Sequence, residues 1–318
     1  MMRFVLGDGR AWRTLCGVRI FLFLLLALPL LGQDVRVLTF NIRYNNFADG
    51  ANAWPLRKEA VAKLIKDEAD VAGLQEVKPD QHEWLVQNLP EFGFIGVGRD
   101  IAGRDESIPL IYRKDRFELL ASGTFWLSET PEEAGSTTWG NKLPRICTWA
   151  KLRDSKANTA FWFYNVHLDH QSALARERGL ALVADRMEKR EGKEPAILVG
   201  DLNTSVGSTP LKALAARERP ALISTYDALE IPAEGTFHGF TGKAEGRAID
   251  YIFVEKDRWE VKSGRILKTT YPGTDHVERP VSDHFPVSAK VAIKSQSKPA
   301  EKEDGAAQDE PCEGQASQ

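Results

Sequence analysis

The sequence predicts an α/β sandwich, in which two mixed β-sheets lie face to face and helices cover their outer faces. About ten short apolar runs are bounded by turn residues, and three or four amphipathic segments lie between some of them. No internal repeat and no long Pro/Gly linker interrupts this pattern. We therefore expect one domain over residues 33–293.

The predicted strands are apolar runs that end at turn residues, and the first of them alternates with a period of two. In chain order they are Val35–Phe40, Val71–Leu74, Phe94–Val97, Ile108–Tyr112, Phe117–Leu120, Ile146–Leu152, Phe161–Val166, Ala196–Val199, Ala248–Val254 and Pro286–Ile293.

Four segments have the pattern of helices. Trp54–Asp67 has Pro55 near its first turn and apolar residues on one face. Gln81–Leu89 follows, and Ser172–Arg190 opens with a serine in a capping position. Pro210–Ala216 is a shorter candidate. Together with the strands, these segments supply the helical layers of the sandwich.

Both ends of the chain differ in composition from the predicted domain. Residues 1–32 combine four arginines with the apolar run Ile20–Leu31, which at about 12 residues is too short to cross a bilayer. This pattern predicts a signal peptide and export to the periplasm or the extracellular space, and an uncleaved membrane anchor is the alternative. Residues 294–318 are polar and charged, and we expect them to be disordered.

Charge and cysteine content narrow the classes of function. The net charge is −3, and no basic stripe of the kind that a long-duplex nuclease presents is visible. Among the three cysteines, Cys147 lies in an apolar run and is expected in the core. We expect no disulfide framework.

Unusual polar residues cluster at the ends of the predicted strands. In chain order they are Asn41, Glu76, His167, Asp201, Asn203, Asp250, Asp283 and His284. Each of them alone is typical of a turn or of an exposed strand end. Together, carboxylates, amides and imidazoles at strand ends can converge on one rim of a sandwich, where close carboxylates repel unless a cation lies among them.

The segments around these residues resemble the successive motifs of the endonuclease/exonuclease/phosphatase (DNase I-like) superfamily, in the order of that family. They are Thr39–Arg43, Leu74–Val77, Asn165–Asp169, Gly200–Asn203, Ile249–Ile252 and Ser282–Pro286. Phe125–Pro131 and Gly235–His238 are similar to segments of a bacterial exported branch, which is itself similar to nocturnin-type deadenylases. The resemblance implies a four-layer, DNase I-like sandwich.

The resemblance also implies hydrolysis of phosphate esters by in-line attack of water, with Mg²⁺ or Mn²⁺ as cofactor. Glu76 matches the principal metal ligand of the family, with Asn41 beside it and Asp283 as a further acidic position. These residue types suit Mg²⁺, which prefers oxygen ligands and needs few protein carboxylates.

The remaining matches are catalytic. Asp201 and Asn203 match the pair that positions the attacking water and the phosphate, and His167 matches a second phosphate donor. His284 matches the catalytic imidazole, and Asp250 matches the carboxylate that orients it. Whether Asp201 or His284 takes the proton from water stays open.

Four further residues are weaker candidates. Arg145 could contact the phosphate through its planar fork of donors, and Tyr112 could line the cleft. Asp169 and His170 extend the histidine motif, either as a site specific to this branch or as hydrogen-bonding residues of a loop. Exposed aromatic residues could stack on bases, and Trp54, Trp126 and Trp139 are the candidates.

The substrate stays open within the class of phosphate esters: nucleic acid, nucleotide, phospholipid headgroup or phosphorylated glycan. No stable protein partner is implied. The alternatives are a catalytically silent binding protein, a deadenylase-like 3′–5′ exoribonuclease and an unrelated two-carboxylate glycosidase. A serine esterase is disfavoured because the sequence contains no Gly-x-Ser-x-Gly elbow.

Overall fold

The computed structural model describes residues 34–294. The predicted signal peptide and, from residue 295 onward, the predicted disordered tail lie outside these residues. Within the described part, no helix is both long enough and apolar enough to span a membrane.

Fourteen strands form within residues 34–294. They are β1 (Val35–Asn41), β2 (Val71–Gln75), β3 (Phe92–Ile95), β4 (Leu110–Arg113), β5 (Phe117–Trp126), β6 (Ile146–Asp154), β7 (Thr159–His167), β8 (Ala196–Asp201), β9 (Leu222–Ser224), β10 (Asp250–Glu255), β11 (Trp259–Ile266), β12 (Thr270–Pro272), β13 (Glu278–Pro280) and β14 (Val287–Ile293).

Two six-stranded sheets and one small hairpin account for these strands. The first sheet has the order β11-β14-β1-β2-β4-β3, the second has the order β5-β6-β7-β8-β10-β9, and β12 pairs with β13. Both large sheets are mixed, since β1–β2 and β7–β8 are parallel and the other pairs are antiparallel.

The helices within residues 34–294 are α1 (Trp54–Glu68), α2 (Pro79–Asn88), α3 (Ala173–Glu188), α4 (Thr209–Ala215) and α5 (Thr225–Ala228), with a 3-10 helix at Phe47–Asn52. Helices α1 and α3 connect the strands of the two parallel pairs, α2 and α4 follow these pairs, and α5 follows β9. As predicted, Ser172 caps α3, because its side chain accepts a hydrogen bond from the backbone N–H of Ala175 at 3.1 Å.

Side chains of β1 point alternately to the two faces of the first sheet, and this alternation explains the layers of the sandwich. Val35 and Val37 join the apolar core shared by both sheets, whereas Leu38 and Phe40 lie in a second core with the inner face of α1. Residues of α3 pack on the second sheet in the same way. The result is the predicted DNase I-like sandwich of two sheets between helical layers.

Two β-α-β units position the functional rim. In β1-α1-β2 and β7-α3-β8 the strands are parallel, so both units place the carboxyl ends of their strands at one end of the sandwich. A buried contact ties the two sheets near this rim, since Gln75 Nε2 donates to Asn165 Oδ1 at 2.7 Å and Asn165 Nδ2 donates to Leu74 O at 2.9 Å.

All ten predicted strands and all four predicted helices have counterparts, with shifted ends. The third strand begins at Phe92 rather than Phe94, and the strand predicted from Ala248 begins at Asp250. The elements β9, β11, β12, β13 and α5 were not predicted. Cys147 is fully buried, as expected.

Candidate active site

Three strand ends of the second sheet place ionisable side chains side by side. His167 ends β7, Asp201 ends β8 and Asp250 begins β10, and Asp201 is the direct register partner of the other two. Neighbouring strands lie about 4.8 Å apart, so these buried side chains form a row at the rim of the sheet. His167 and Asp201 line a cleft of about 680 Å³.

The first sheet contributes Asn41 and Glu76 to the same cleft. Asn41 Nδ2 donates to Glu76 Oε1 at 3.1 Å and to Asp201 Oδ2 at 3.0 Å, so this amide links the two sheets. Arg43 N donates to Asn41 Oδ1 at 3.0 Å, and Tyr44 N donates to Glu76 Oε2 at 3.2 Å. The backbone that follows β1 therefore fixes both side chains.

His284 and Asp250 form a buried pair. His284 Nδ1 lies 2.9 Å from Asp250 Oδ2, and its Nε2 lies 3.8 Å from Asp201 Oδ2. Burial opposes the charged imidazole, but the charge and hydrogen bond of Asp250 outweigh it and raise the pKa of His284 to about 10. Asp250 Oδ1 is buried without a hydrogen-bond partner.

Asp201 occupies the centre of the site. Burial raises the pKa of its carboxyl, and the charge of Asp250 raises it further. Asn203 N donates to Asp201 Oδ1 at 2.9 Å, and Asn203 Nδ2 donates to the carbonyl of Leu168 at 3.0 Å. The turn after β8 thus holds the Asp201–Asn203 pair as a unit at the cleft.

His167 faces Asp201 from the neighbouring strand. Its Nε2 lies 3.5 Å from Asp201 Oδ2, and its Nδ1 lies 3.7 Å from Glu106 Oε1. Burial and then the charge of Arg145 lower the pKa of His167 to about 3, so the imidazole is neutral at physiological pH. Within residues 34–294, His167 Nδ1 has no hydrogen-bond partner, so the neutral imidazole keeps one N–H available for a ligand.

The donor set around Glu76 and Asp283 suits a hard divalent cation. Asp283 is buried, and burial followed by the charge of Glu76 raises the pKa of its carboxyl. Arg43 Nε approaches Asp283 Oδ2 only to 3.7 Å. Two carboxylates that repel one another at a cleft match the oxygen ligands that Mg²⁺ prefers.

The metal-ligand role of Asn41 stays a prediction, and its amide is turned so that the nitrogen faces the site. Its amide nitrogen, which cannot bind a cation, faces Glu76, and its oxygen accepts the hydrogen bond from Arg43. Ligation of a metal through the Asn41 oxygen would require the amide to turn over. In this orientation Asn41 positions the carboxylates, and Glu76 and Asp283 are the available ligands.

A second group of potential ligands consists of Asp201, Asp250 and His284, whose ligand atoms lie within 4.8 Å of one another. The His284–Asp250 hydrogen bond already uses one of these atoms from each residue. The positive charge of a protonated His284 offsets part of the carboxylate charge there, and Asp250 Oδ1 stays without a hydrogen-bond partner.

Arg145 lies in the cleft, as predicted, and Asp169 and His170 hold it. Its Nε lies 3.4 Å from Asp169 Oδ2, and its Nη2 lies 2.8 Å from His170 Nδ1. Asp169 Oδ1 accepts from the backbone N–H groups of Gln171 and Ser172 at the start of α3. Asp169 thus hydrogen-bonds within its loop, whereas His170 lines the cleft beside Arg145.

Tyr112 does not line the cleft, which corrects the prediction. Its register partners are Val71, the first residue of β2, and Gly93 of β3. Glu76 follows the opposite end of β2, so Tyr112 lies some 16 Å along the strand from the site. The predicted stacking residues Trp54 and Trp126 are also buried.

Several residues that line the cleft were not predicted as site residues, although two of them lie in the resembling segments Thr39–Arg43 and Gly235–His238. They are Arg43, Lys78, Arg99, Glu106 and Phe237. Arg99 and Glu106 come from the loop between β3 and β4 and pair with one another at 3.0 Å. A long loop with no strand-end pattern gives no indication of where its side chains lie, and only the tertiary structure brings these residues to the cleft.

Comparison with known proteins identifies the family. The sequence model of the Endonuclease/Exonuclease/phosphatase family matches residues 38–284. The chain belongs to this family, whose members are phosphoester hydrolases that typically depend on a divalent metal. A protein of Acanthamoeba polyphaga mimivirus is 25% identical over 162 residues, and the chain spans only 59% of the length of that relative.

Solved structures extend the likeness over nearly the whole domain. A mannosyl-6-phosphatase of Bacteroides thetaiotaomicron is 33% identical with a TM-score of 0.75, over 81% of this chain and 99% of that chain. An endonuclease/exonuclease/phosphatase from Bacteroides vulgatus is 36% identical with a TM-score of 0.73, over 82% and 99%. The human nocturnin catalytic domain, at 17% identity and a TM-score of 0.62, shares the fold.

Proposed function

We propose that the protein is an exported, divalent-metal-dependent hydrolase of phosphate esters. The observation that carries the proposal is the convergence of Glu76 and Asp283 with the His284–Asp250 pair around Asp201 in one cleft. A binding protein has no need of a buried histidine–carboxylate pair beside a third carboxylate.

Mg²⁺ or Mn²⁺ bound by Glu76 and Asp283 would polarise the phosphoryl oxygens and stabilise the leaving oxyanion. Asn41 holds Glu76 in place for this role through its 3.1 Å hydrogen bond. The neutral imidazole of His167 donates to the phosphate, and Arg145, held by Asp169 and His170, contacts a further phosphate oxygen.

Asp201 and Asn203 position the attacking water. Because His284 already carries its proton at neutral pH, Asp201 Oδ2 is the group that accepts the proton from the water, with His284 Nε2 3.8 Å away. Asp250 fixes the orientation of the imidazole through its Nδ1 contact. The position of Asp201, His284 and Asp250 on one side of the cleft supports these proposed roles.

A sugar phosphomonoester is the first substrate to test. The support is the mannosyl-6-phosphatase that is 33% identical to this chain over 81% of its length, together with the net charge of −3, which does not favour a long polyanion. A compact cleft of about 680 Å³ is also of the size that small-molecule sites have.

Export is supported by the leader, in which four arginines precede a short apolar run. The periplasm or the extracellular space is the proposed location. N-terminal sequencing of the protein from those fractions should give a mature chain that begins near residue 33, and an intact leader in the membrane fraction would contradict cleavage.

The test of the function is hydrolysis of mannose 6-phosphate, p-nitrophenyl phosphate and bis-p-nitrophenyl phosphate by the mature chain. We expect turnover with Mg²⁺ or Mn²⁺, none with EDTA, and a loss of at least about a hundredfold in Asp201→Asn. Glu76→Gln should lose the response to added metal. The matched control is Asp257→Asn, which changes an exposed carboxylate in the turn between β10 and β11 and should retain full activity.

The outcomes separate the alternatives. Turnover that persists in EDTA or in Asp201→Asn would contradict the proposal. Metal binding by a folded protein with no turnover of any ester would favour the silent binding protein. Preference for the diester, or cleavage of a short RNA from its 3′ end, would favour the nuclease or the exoribonuclease.

A further inference from the structure

One wall of the cleft is an exposed aromatic ring. Phe237 lines the cleft and is 52% exposed, and its ring centroid lies 5.1 Å from that of His284 at an interplanar angle of 60°. Of the large apolar side chains exposed between residues 34 and 294, Phe237 and Leu143 line this cleft. A half-exposed aromatic ring lacks the stabilisation that full burial would give. Beside ionisable groups in a cleft, it indicates a surface that contacts a ligand.

Backbone hydrogen bonds fix the segment that carries this ring. Phe237 forms an isolated β-bridge with His284, and Phe285 N donates to the carbonyl of Thr236 at 2.8 Å. Thr236 Oγ1 accepts from the N–H of Asp250 at 3.2 Å. The backbone that carries the ring is therefore held beside the His284–Asp250 pair, so a ligand that stacks on the ring has to order only the Phe237 side chain.

The opposite wall of the cleft contains a cation, the guanidinium of Arg145, beside Leu143. Leu143 and Arg145 precede β6, whereas Phe237 lies beside the start of β10, and β7 and β8 separate these two strands. Three strand spacings put the walls roughly 14 Å apart. A phosphate held between them leaves its organic group against one wall, and the wall with Phe237 is apolar and flat.

We propose that Phe237 is the surface on which the organic group of the ester stacks, and that this group is a compact sugar ring. The inference rests on the proposed function and names the substrate class of the same site. The face of a phenyl ring is electronegative and attracts the C–H groups on the apolar face of a sugar ring. The hydroxyl groups of the sugar stay on the open side of the cleft, where water is available.

The variant Phe237→Leu tests this role because leucine still covers His284 but has no flat face. For mannose 6-phosphate we expect KM to rise about three- to tenfold with kcat nearly unchanged, which is the scale of one aromatic contact. For glycerol 3-phosphate, which has no ring, both constants should stay as in the wild type. Phe237→Tyr should restore the KM for the sugar ester.

Phe47→Leu is the matched control. Phe47 is 80% exposed in the 3-10 helix and is not among the residues that line the cleft, so its replacement should alter neither ester. Comparing the two leucine variants separates the loss of a ring in the cleft from the loss of an exposed ring elsewhere.

Two results would overturn the role of Phe237 while leaving the hydrolase intact. One is an equal change for both esters with a shifted pH profile, which would mean that the ring only shields His284. The other is no change for either ester in Phe237→Leu. Failure of the wild-type protein to hydrolyse any ester would instead overturn the proposed function, and this inference with it.

Discussion

At the scale of single residues, three side chains of the cleft are carried by left-handed backbone. The φ angles of Arg43, Glu76 and Asn203 are 57°, 61° and 47°. This conformation costs a residue other than glycine about 1 kcal/mol or more. Hydrogen bonds offset the strain, since Tyr44 N contacts Glu76 and Asn203 bonds both Asp201 and Leu168. The strained turns at the strand ends thus direct these three side chains into the cleft.

The His284–Asp250 pair should act as one unit. We expect His284→Ala and Asp250→Asn each to reduce kcat/KM by about a hundredfold or more, because the imidazole without its partner loses its orientation. The double variant should lose little beyond the worse single variant. The measurement is a double-mutant cycle on the preferred ester, with unfolding midpoints to verify that each variant is folded. Losses that multiply would show that the two residues act independently.

Residues at strand ends could be predicted, because a polar side chain directly after an apolar run is a local signal. Glu76, His167 and Asp201 were found in this way, and all of them lie in the cleft. Glu106 could not be found, because a loop carries it to the site and loop paths depend on tertiary contacts. Phe237 lies in the resembling segment Gly235–His238, but the resemblance assigned it no role. Tyr112 was predicted at the cleft but does not line it, because it lies at the end of its strand that is away from the cleft.

At the scale of elements, an ion-pair network joins the sheets at their far end. Arg116 pairs with Asp70 at 2.9 Å and with Asp154 at 2.7 Å, and Arg36 pairs with Asp70 at 2.7 Å. Asp70 lies between α1 and β2, and Asp154 ends β6. The network therefore connects the first sheet to the second on the side away from the cleft.

Because of this network, the free energy of unfolding should depend on pH in the acid range. Burial disfavours ionisation of Asp70, but hydrogen bonds from Arg36 outweigh it and hold the pKa of Asp70 below its usual value. Because the pKa is depressed in the folded state, the stabilisation is complete above the unfolded pKa of about 3.9 and is lost as pH falls towards the folded pKa. Asp70→Asn should cost about 2–3 kcal/mol at neutral pH and progressively less below about pH 4.

Urea unfolding from about pH 7 to about pH 3 measures this difference. Asp257→Asn, an exposed carboxylate, is the matched control and should follow the wild-type curve at every pH. A difference between Asp70→Asn and the wild type that stays constant over the whole range would contradict the assignment.

The elements that the sequence did not predict are short or lie at edges. β9, β12 and β13 have three residues each, which is too few for a period of two to be visible. β11 is the edge strand of the first sheet, is largely exposed and has a register irregularity between Val261 and Ser263. Tertiary pairing rather than sequence pattern defines such strands.

At the scale of the whole molecule, the charge distribution bears on the class of substrate. The chain carries a net charge of −3, and the basic residues at the cleft are already paired. Arg43 pairs with Asp49, Lys78 with Asp105 and Arg99 with Glu106, so none of these three adds an uncompensated positive charge. Fold alone does not decide between substrates in this family, and the electrostatics of the cleft are the discriminating property.

The absence of net positive charge leads to a prediction about nucleic acid. Binding to duplex DNA draws most of its affinity from lysine and arginine residues that neutralise phosphates and release counterions, so it weakens steeply between about 50 mM and about 200 mM salt. We expect a duplex of about 30 base pairs, added at micromolar concentration, to leave monoester hydrolysis unchanged at about 50 mM salt. Inhibition that disappears at higher salt would instead mean that the paired arginines open to bind the phosphate backbone. In that case the cleft would be that of a nuclease, and the monoester would be only a fragment of the true substrate.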